Sequence, residues 1–212
     1  MNRTERYNKK KKQRKRLDTK PKKIIAVLIV ITMIICVRAI TDAYLDNKAM
    51  EFLKSGNVPD YVEQQFIKKD GAARPGTPLK EINGVVVHYV ANPGSSAEAN
   101  RNYFNKKDTK VSSHFIVGLK GEIIQCVPLS EEAVASNTRN WDTVSIEVCH
   151  PDESGKFSAK TMDSLIKLTS WLRESGRLKR DDVIRHYDIT GKLCPKYYVE
   201  HEGAWKNFKK QI

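Results

Sequence analysis

The 212-residue sequence holds only four cysteines, 11 glycines and eight prolines. So few cysteines exclude a disulfide-dense small scaffold, and the modest glycine and proline content excludes collagen and low-complexity chains. Only one stretch is long and apolar enough to be considered as a membrane span, which excludes a multi-span membrane protein. A chain of this length indicates one ordinary domain with appendages, or two small domains.

Positive charge is concentrated at the N-terminus. Residues 1–23 hold 12 basic and two acidic side chains, so only +3 of the net charge of +13 remains for the other residues. A body so nearly balanced is not that of a nucleic-acid-binding protein, and we expect no nucleic acid partner. The basic tail by itself indicates a solvated, disordered segment, but an apolar stretch follows it directly.

That apolar stretch is the candidate membrane segment. Ile24 to Val37 is uncharged and mostly apolar, and Arg38 interrupts it before Ala39 to Thr41. We predict a transmembrane signal-anchor over residues 24–43, favoured over a cleaved secretory signal peptide because the basic region is long and the cleavage site weak. A buried core helix is the third alternative, which the charged flank disfavours. Anchor and signal both place the N-terminus in the cytoplasm and export the rest.

The exported part begins with a connector. Residues 44–78 predict a short helix that Ser55 to Asn57 breaks, a second amphipathic helix around residues 61–67, and a loop rich in Gly and Pro. From about Leu79 the pattern becomes that of one α/β domain. Predicted strands lie at 84–90, 114–119, 122–127, 143–149 and 183–186; predicted helices run from Ser96 to Phe104, onward from Ser158, and from Tyr197 to Phe208.

Three side chains in this domain have the chemistry of a metal site. His88 is a polar residue inside an apolar strand, while His186 and Cys194 flank a loop that contains Gly191. Two imidazoles and a thiolate suit zinc, and three protein ligands leave a position open for water, as in catalytic zinc sites. For Cys194 a disulfide is the alternative, since the domain is predicted to be exported.

Two charged residues accompany the predicted ligands. Glu147 interrupts the apolar strand 143–149, where a carboxylate is costly unless it is paired or faces a site. Near a zinc ion it would take a proton from water, as a general base. Lys192, two residues before Cys194, would stabilise an oxyanion; a solvated loop lysine is the alternative.

These residues belong to an ordered set of motifs along the chain. The set consists of His88, Ser112 to Val117, the strand Glu122 to Pro128, Ser145 to Glu147, and His186 through Lys192 to Cys194-Pro195. The pattern resembles the zinc N-acetylmuramoyl-L-alanine amidases of the phage-lysozyme and peptidoglycan-recognition-protein superfamily, over about residues 80–205. The resemblance implies a central mixed sheet flanked by helices, zinc on His88, His186 and Cys194, Glu147 as general base, and the family's lysine at Lys192. It implies peptidoglycan as the substrate, cut between N-acetylmuramic acid and L-Ala.

The patterns of charge and hydropathy, together with the resemblance, divide the chain into four parts, and the sequence also departs from the family at two positions. We expect a basic cytoplasmic tail at 1–23, the anchor at 24–43, the connector at 44–78 and the zinc amidase domain at 79–212. Ser113 stands where the phage lysozyme has tyrosine. Ala135 stands where many bacterial members have the histidine of Trp-His-Ala-Gly, so a substrate-contacting imidazole is missing. His114 is a candidate substrate-binding residue, with a hydrogen-bonded structural role as the alternative.

Two rival functions stay open. The first is a non-catalytic peptidoglycan-binding module of the same fold, which retention of Cys194, Glu147 and Lys192 disfavours. The second is a membrane-tethered interaction protein whose His and Cys side chains are structural. Cys126 and Cys149 are expected to be buried thiols, with a disulfide between them as the alternative.

Overall fold

The computed structural model describes residues 1–69 and 71–212, without the side chains of residues 16–20. Residues 1–47 and 48–212 form two compact units. The first unit consists of most of helix α1, Arg3–Lys54. Its stretch from Pro21 is long and apolar enough to cross a membrane, near the N-terminus as a signal sequence is. Its apolar side chains are exposed, which excludes the core-helix alternative for the described residues.

The second unit is built on a six-stranded sheet with the order β1-β4-β3-β5-β2-β6. Neighbouring strands are parallel, except for the antiparallel pair β3 and β4 that forms the predicted hairpin. The sheet is therefore mixed, as expected. Its strands are β1 Val62–Gln64, β2 Gly84–Tyr89, β3 Phe115–Val117, β4 Ile123–Gln125, β5 Thr143–Val148 and β6 Val183–Arg185.

In the described part of the chain five α-helices follow α1. Serine side chains cap two of them: Ser96 Oγ accepts a hydrogen bond from Ala99 N at 3.1 Å, and Ser158 Oγ accepts one from Thr161 N at 3.2 Å. Both caps were predicted. The helices are α2 Ala97–Phe104, α3 Ala159–Ser175, α4 His186–Thr190, α5 Lys196–Glu200 and α6 Glu202–Gln211.

Two predicted helices are wrong. The amphipathic helix expected around residues 61–67 is replaced by strand β1, which extends the sheet beyond the hairpin because it pairs with β4. The single helix expected from Tyr197 to Phe208 is two helices, since the backbone of His201 leaves the helical region with φ −122° and ψ 74°. The break lets Trp205 and Phe208 pack into the core under β6 and α3.

The two faces of the sheet have different roles. Val87 and Ile146 point to the face that packs against α3 and α6, where apolar side chains fill the core. Their neighbours His88 and Glu147 point to the other face, because side chains alternate along a strand. That second face also carries Ile116, which packs with residues of α2. The polar side chains thus lie beside α2's layer, at the carboxyl ends of the parallel strands.

Residues of the predicted connector take part in the second unit. Leu53 and Val62 are buried in the main core. The guanidinium of Arg74 donates to both carboxylate oxygens of Glu131, at 2.8 and 3.0 Å. The connector and the sheet are therefore packed together from residue 48, while the functional division of the chain stays a prediction.

Candidate active site

The structure brings the three predicted metal ligands together. His88 lies near the end of β2, His186 begins α4 directly after β6, and Cys194 follows α4. Because β2 and β6 are parallel neighbours, their carboxyl ends meet. One donor atom from each residue lies within 4.8 Å of the others, and His88 Nδ1 is 3.8 Å from Cys194 Sγ. All three side chains are buried.

These residues fit a zinc ion. Donor atoms around tetrahedral zinc are about 3.3–3.8 Å apart, given bond lengths of about 2.0–2.3 Å, so a small closing movement suffices. Burial holds the pKa of His88 well below its usual value of 6.5, which keeps the imidazole in the neutral form that binds metals. Burial also raises the pKa of the Cys194 thiol to about 12. That sulfur keeps its proton until a metal cation displaces it. All four cysteines are free thiols, so the disulfide alternatives are wrong.

A buried arginine holds the ligand loop in place. Arg185, the residue before His186, donates to Asp188 at 2.7 Å, to Glu202 at 2.6 Å and to the carbonyl of Tyr198 at 3.0 Å. These contacts fasten α4, α5 and α6 to the end of β6, and two carboxylates offset the buried charge. The start of α4 is thereby fixed, and with it the position of His186.

Glu147 lies beside His88 on the neighbouring strand, since the two residues are paired in the register of β5 and β2. Its Oε2 is buried and has no hydrogen-bond partner among the residues that the structure describes. Burial raises the pKa of this carboxyl to about 8, although the positive charge of Lys192 lowers it in part. A carboxyl with such a pKa can take up and release a proton near neutral pH.

Lys192 is exposed on the loop between α4 and Cys194. Its positive charge lowers the pKa of four neighbouring groups, and in each of them burial has the larger effect on the pKa. These groups are His88, Glu147, His186 and Cys194. The ammonium group is therefore within electrostatic reach of the whole cluster. A cation in this place favours negative charge that develops on a bound substrate.

Two further residues contact the imidazoles, and neither belongs to a motif that predicts site residues. Asn137 Oδ1 accepts a hydrogen bond from His186 Nε2 at 2.7 Å, and Ser136 Oγ is 3.4 Å from His88 Nε2. Both belong to the segment in which a histidine was expected and Ala135 found. In the sequence they are indicated only by their position, as two polar residues directly after Ala135 in the altered motif.

His114 stands apart from this cluster. Its Nδ1 accepts a hydrogen bond from Ser145 N at 3.0 Å, and its Nε2 donates to the carbonyl of Glu131 at 2.9 Å. The side chain has no exposed surface, and burial lowers its pKa to about 4. These contacts favour the structural alternative over substrate binding. Ser113, which replaces the family's tyrosine, is also buried, and its hydroxyl donates to the carbonyl of Phe115.

The chain is similar in sequence to known proteins. Residues 78–197 match the family described as N-acetylmuramoyl-L-alanine amidase. The chain is 29% identical over 168 residues to the N-acetylmuramoyl-L-alanine amidase CwlL of Bacillus licheniformis, covering 71% of this chain and 46% of that protein. It is 29% identical over 171 residues to the N-acetylmuramoyl-L-alanine amidase BlyA of Bacillus subtilis (strain 168), covering 69% of this chain and 45% of that protein.

Solved structures agree with the sequence comparison. A mutant endolysin from Bacillus subtilis superposes with a TM-score of 0.63 at 30% sequence identity, covering 71% of this chain and 97% of that structure. The chain spans just under half the length of the two curated relatives. The common part contains the whole sheet edge that carries the candidate site.

Proposed function

The chain belongs to the N-acetylmuramoyl-L-alanine amidase family, and we propose that it hydrolyses the amide bond between N-acetylmuramic acid and the L-Ala of the stem peptide in peptidoglycan. The observation that carries this proposal is the meeting of His88, His186 and Cys194 beside Glu147, whose Oε2 has no hydrogen-bond partner in the described part of the chain. A buried set of metal donors next to a proton acceptor is what metal-assisted hydrolysis requires.

The proposed cofactor is zinc, held by His88, His186 and Cys194. When bound there, the ion would supply Lewis-acid polarisation of the scissile amide and ease the deprotonation of water. Arg185 and its carboxylate partners keep the ligand loop in one position.

Glu147 is the proposed general base and acid. It takes a proton from water as the water oxygen attacks the amide carbon, and it returns a proton to the leaving nitrogen as the carbon–nitrogen bond breaks. The products are a lactyl carboxylate on the sugar and a peptide with a free L-Ala amine. The raised pKa of Glu147 suits a group that must do both near neutral pH.

Lys192 is the proposed oxyanion stabiliser. Negative charge develops on the carbonyl oxygen as water adds, and the ammonium group would offset that charge. Its exposed place on the ligand loop allows the side chain to reach toward a bound substrate. Its charge already acts on all three metal ligands, which supports this assignment.

The proposed location is the outer face of the cytoplasmic membrane. In this proposal residues 24–43 are an uncleaved anchor, with the basic N-terminus in the cytoplasm and the amidase domain outside. The apolar part of α1 has the length and composition that this needs. Lysines and arginines of the tail would also bind the anionic inner leaflet. Tethering would raise the effective concentration of the domain at the cell wall.

Digestion of peptidoglycan tests the proposed reaction. The full chain, purified in detergent, is incubated with Gram-positive peptidoglycan with and without a zinc chelator, and the soluble products are analysed by mass spectrometry. We expect chelator-sensitive release of peptides that begin with L-Ala, while the glycan strands stay uncut. Binding of the wall by folded, zinc-loaded protein without any release would instead identify a recognition module.

A further inference from the structure

One short segment contacts both candidate imidazole ligands at their Nε2 atoms. The 3-10 turn Asn137–Arg139 follows Ser136 and lies next to α4. The amide of Asn137 bonds His186 at 2.7 Å, and the hydroxyl of Ser136 lies 3.4 Å from His88. In each ring the contacted atom is Nε2. If the metal binds to Nδ1 of each ring, these contacts therefore involve the other nitrogen, Nε2.

The contact with Asn137 determines where His186 carries its proton. Oδ1 of an amide only accepts hydrogen bonds, so Nε2 of His186 must be the donor. A neutral imidazole has one N–H, and Nδ1 of His186 is then left with the lone pair. His88 is oriented in the same sense, since its Nδ1 faces the sulfur of Cys194 at 3.8 Å. Nδ1 is thus the nitrogen of His186 that is left free to bind a cation, and in His88 it is the nitrogen that lies next to the cysteine sulfur.

The turn is held in place by contacts that do not involve the cluster. Asn140 Oδ1 accepts hydrogen bonds from the backbone of Ala135 at 3.1 Å and of Ser136 at 2.6 Å. Arg139 Nε donates to both carboxylate oxygens of Asp142, at 2.7 and 3.0 Å. The turn therefore has its shape before a metal binds, and it can orient the rings in advance.

The backbone of Asn137 indicates that the turn is shaped for this contact. Its φ of +52° lies in the left-handed region, which few residues other than Gly adopt without strain. Asn tolerates this conformation better than most residues, and its side chain is the one that reaches His186. A strained residue whose side chain bonds a candidate ligand is a functional indication.

We propose that Asn137, assisted by Ser136, is a positioning residue that fixes the Nε2–H tautomer and the ring orientation of the metal ligands. The inference rests on the proposed zinc-dependent function and deepens it. A histidine that ligates a metal through one ring nitrogen often has a hydrogen-bond partner on the other. Removal of that partner commonly weakens metal binding by about 10- to 100-fold. The altered motif around Ala135 thereby gains a role in metal binding.

Three variants of the full chain in detergent test this assignment. N137G removes the acceptor and at the same time relieves the left-handed backbone, so a loss cannot be attributed to strain. N137D keeps an oxygen that can only accept, and T138A changes the next exposed residue as a matched control. The zinc dissociation constant is measured by competition with a chromophoric chelator. The visible spectrum of the cobalt(II)-substituted protein reports ligand geometry.

We expect N137G to bind zinc about 10- to 100-fold more weakly and to shift the cobalt spectrum. N137D and T138A should stay within about threefold of the unchanged protein, well below that range. Circular dichroism establishes that each variant is folded. Unaltered zinc affinity and cobalt spectrum in folded N137G would overturn the inference alone. N137D as weak as N137G would overturn the proposed tautomer. An unchanged chain that binds no zinc would overturn the inference and the zinc proposal together.

Discussion

Two buried imidazole environments lie on the same face of the sheet, and they differ in how their polar atoms are satisfied. In the His114 pocket both ring nitrogens are bonded to backbone groups, of Ser145 and Glu131. At the ligand edge His88 Nδ1 faces only the sulfur of Cys194 among the described residues, and Glu147 Oε2 has no partner there. A buried carboxylate oxygen without a partner is costly, so Glu147 beside the three potential metal donors indicates a site for a ligand.

Burial alone does not identify a functional histidine in this protein. Burial lowers the pKa of both His88 and His114. What separates them is the identity of their neighbours, which is backbone around His114 and other potential ligands around His88. If this is correct, substitutions in the two places must have different consequences.

Removal of a metal ligand should have the largest effect. We expect C194A to lose its zinc and its amidase activity, by on the order of 10³-fold or more, because the cation loses one of three donors. Metal analysis of the purified protein and the peptide-release assay measure both. C126A is the matched control, since it removes another buried thiol, directly after β4, and should keep zinc and activity. Equal loss in both variants would contradict the distinction.

Substitution of the proton acceptor should come next. E147Q keeps the shape of the side chain but cannot exchange protons, so activity should fall by about 10²- to 10⁴-fold. Zinc content should stay unchanged, because Glu147 is not among the three donors. The initial rate of peptide release and metal analysis give the two values. Activity within a few-fold of the unchanged protein would rule out the proposed role of Glu147.

Loss of the loop cation should have a somewhat smaller effect. K192A should lower the turnover rate by about 10²- to 10³-fold, as removal of an oxyanion donor does elsewhere. K192R, which retains the positive charge, should have a turnover rate between those of K192A and the unchanged protein. K196A is the control, because that nearby lysine is bonded to the carbonyl of Glu153. The role would be excluded if K192A and K196A had the same steady-state kinetics.

In the His114 pocket the expected effect is on stability instead. H114A leaves the N–H of Ser145 and the carbonyl of Glu131 without their partner, which should lower the free energy of unfolding by about 1–3 kcal/mol. Urea unfolding of the full chain in detergent measures this. Zinc affinity should be unaffected. Loss of zinc with unaltered stability would move His114 to the active site.

The smallest effect concerns the ion pair that supports this pocket. Hydrogen bonding to Arg74 lowers the pKa of Glu131 below its usual 4.5. A depressed carboxylate pKa contributes stability that is present above the unfolded value and lost as the pH falls through the folded value. We therefore expect the unchanged protein to lose more stability than E131Q between about pH 5 and pH 3. Parallel curves in urea unfolding at these pH values would contradict this.

The sequence alone was sufficient for the parts of the site that depend on residue type and order. His88, His186 and Cys194 are rare donors in an ordered pattern, and Glu147 is a charge in an apolar strand. The hairpin and the two serine caps were also predictable, because local chemistry determines them.

Other features depend on contacts between distant segments, and local patterns do not contain them. Strand β1 forms only because β4 offers a free edge. The bond between Asn137 and His186 joins residues 49 positions apart. Nothing in the local sequence distinguishes Arg185 from other charged residues, and its hydrogen bond with Glu202 at 2.6 Å depends on the packing of α6.

The origin of the new oxygen atom in the product tests the central claim most directly. The full chain in detergent is incubated with peptidoglycan in water enriched in heavy oxygen, and the fragments are analysed by tandem mass spectrometry. We expect one heavy oxygen in the lactyl carboxylate of the muramic acid, with unlabelled L-Ala peptides, and no such label in C194A. Label at the glycan ends or within the peptide, or label in C194A as well, would contradict the assignment of this edge as a metal-dependent amidase site.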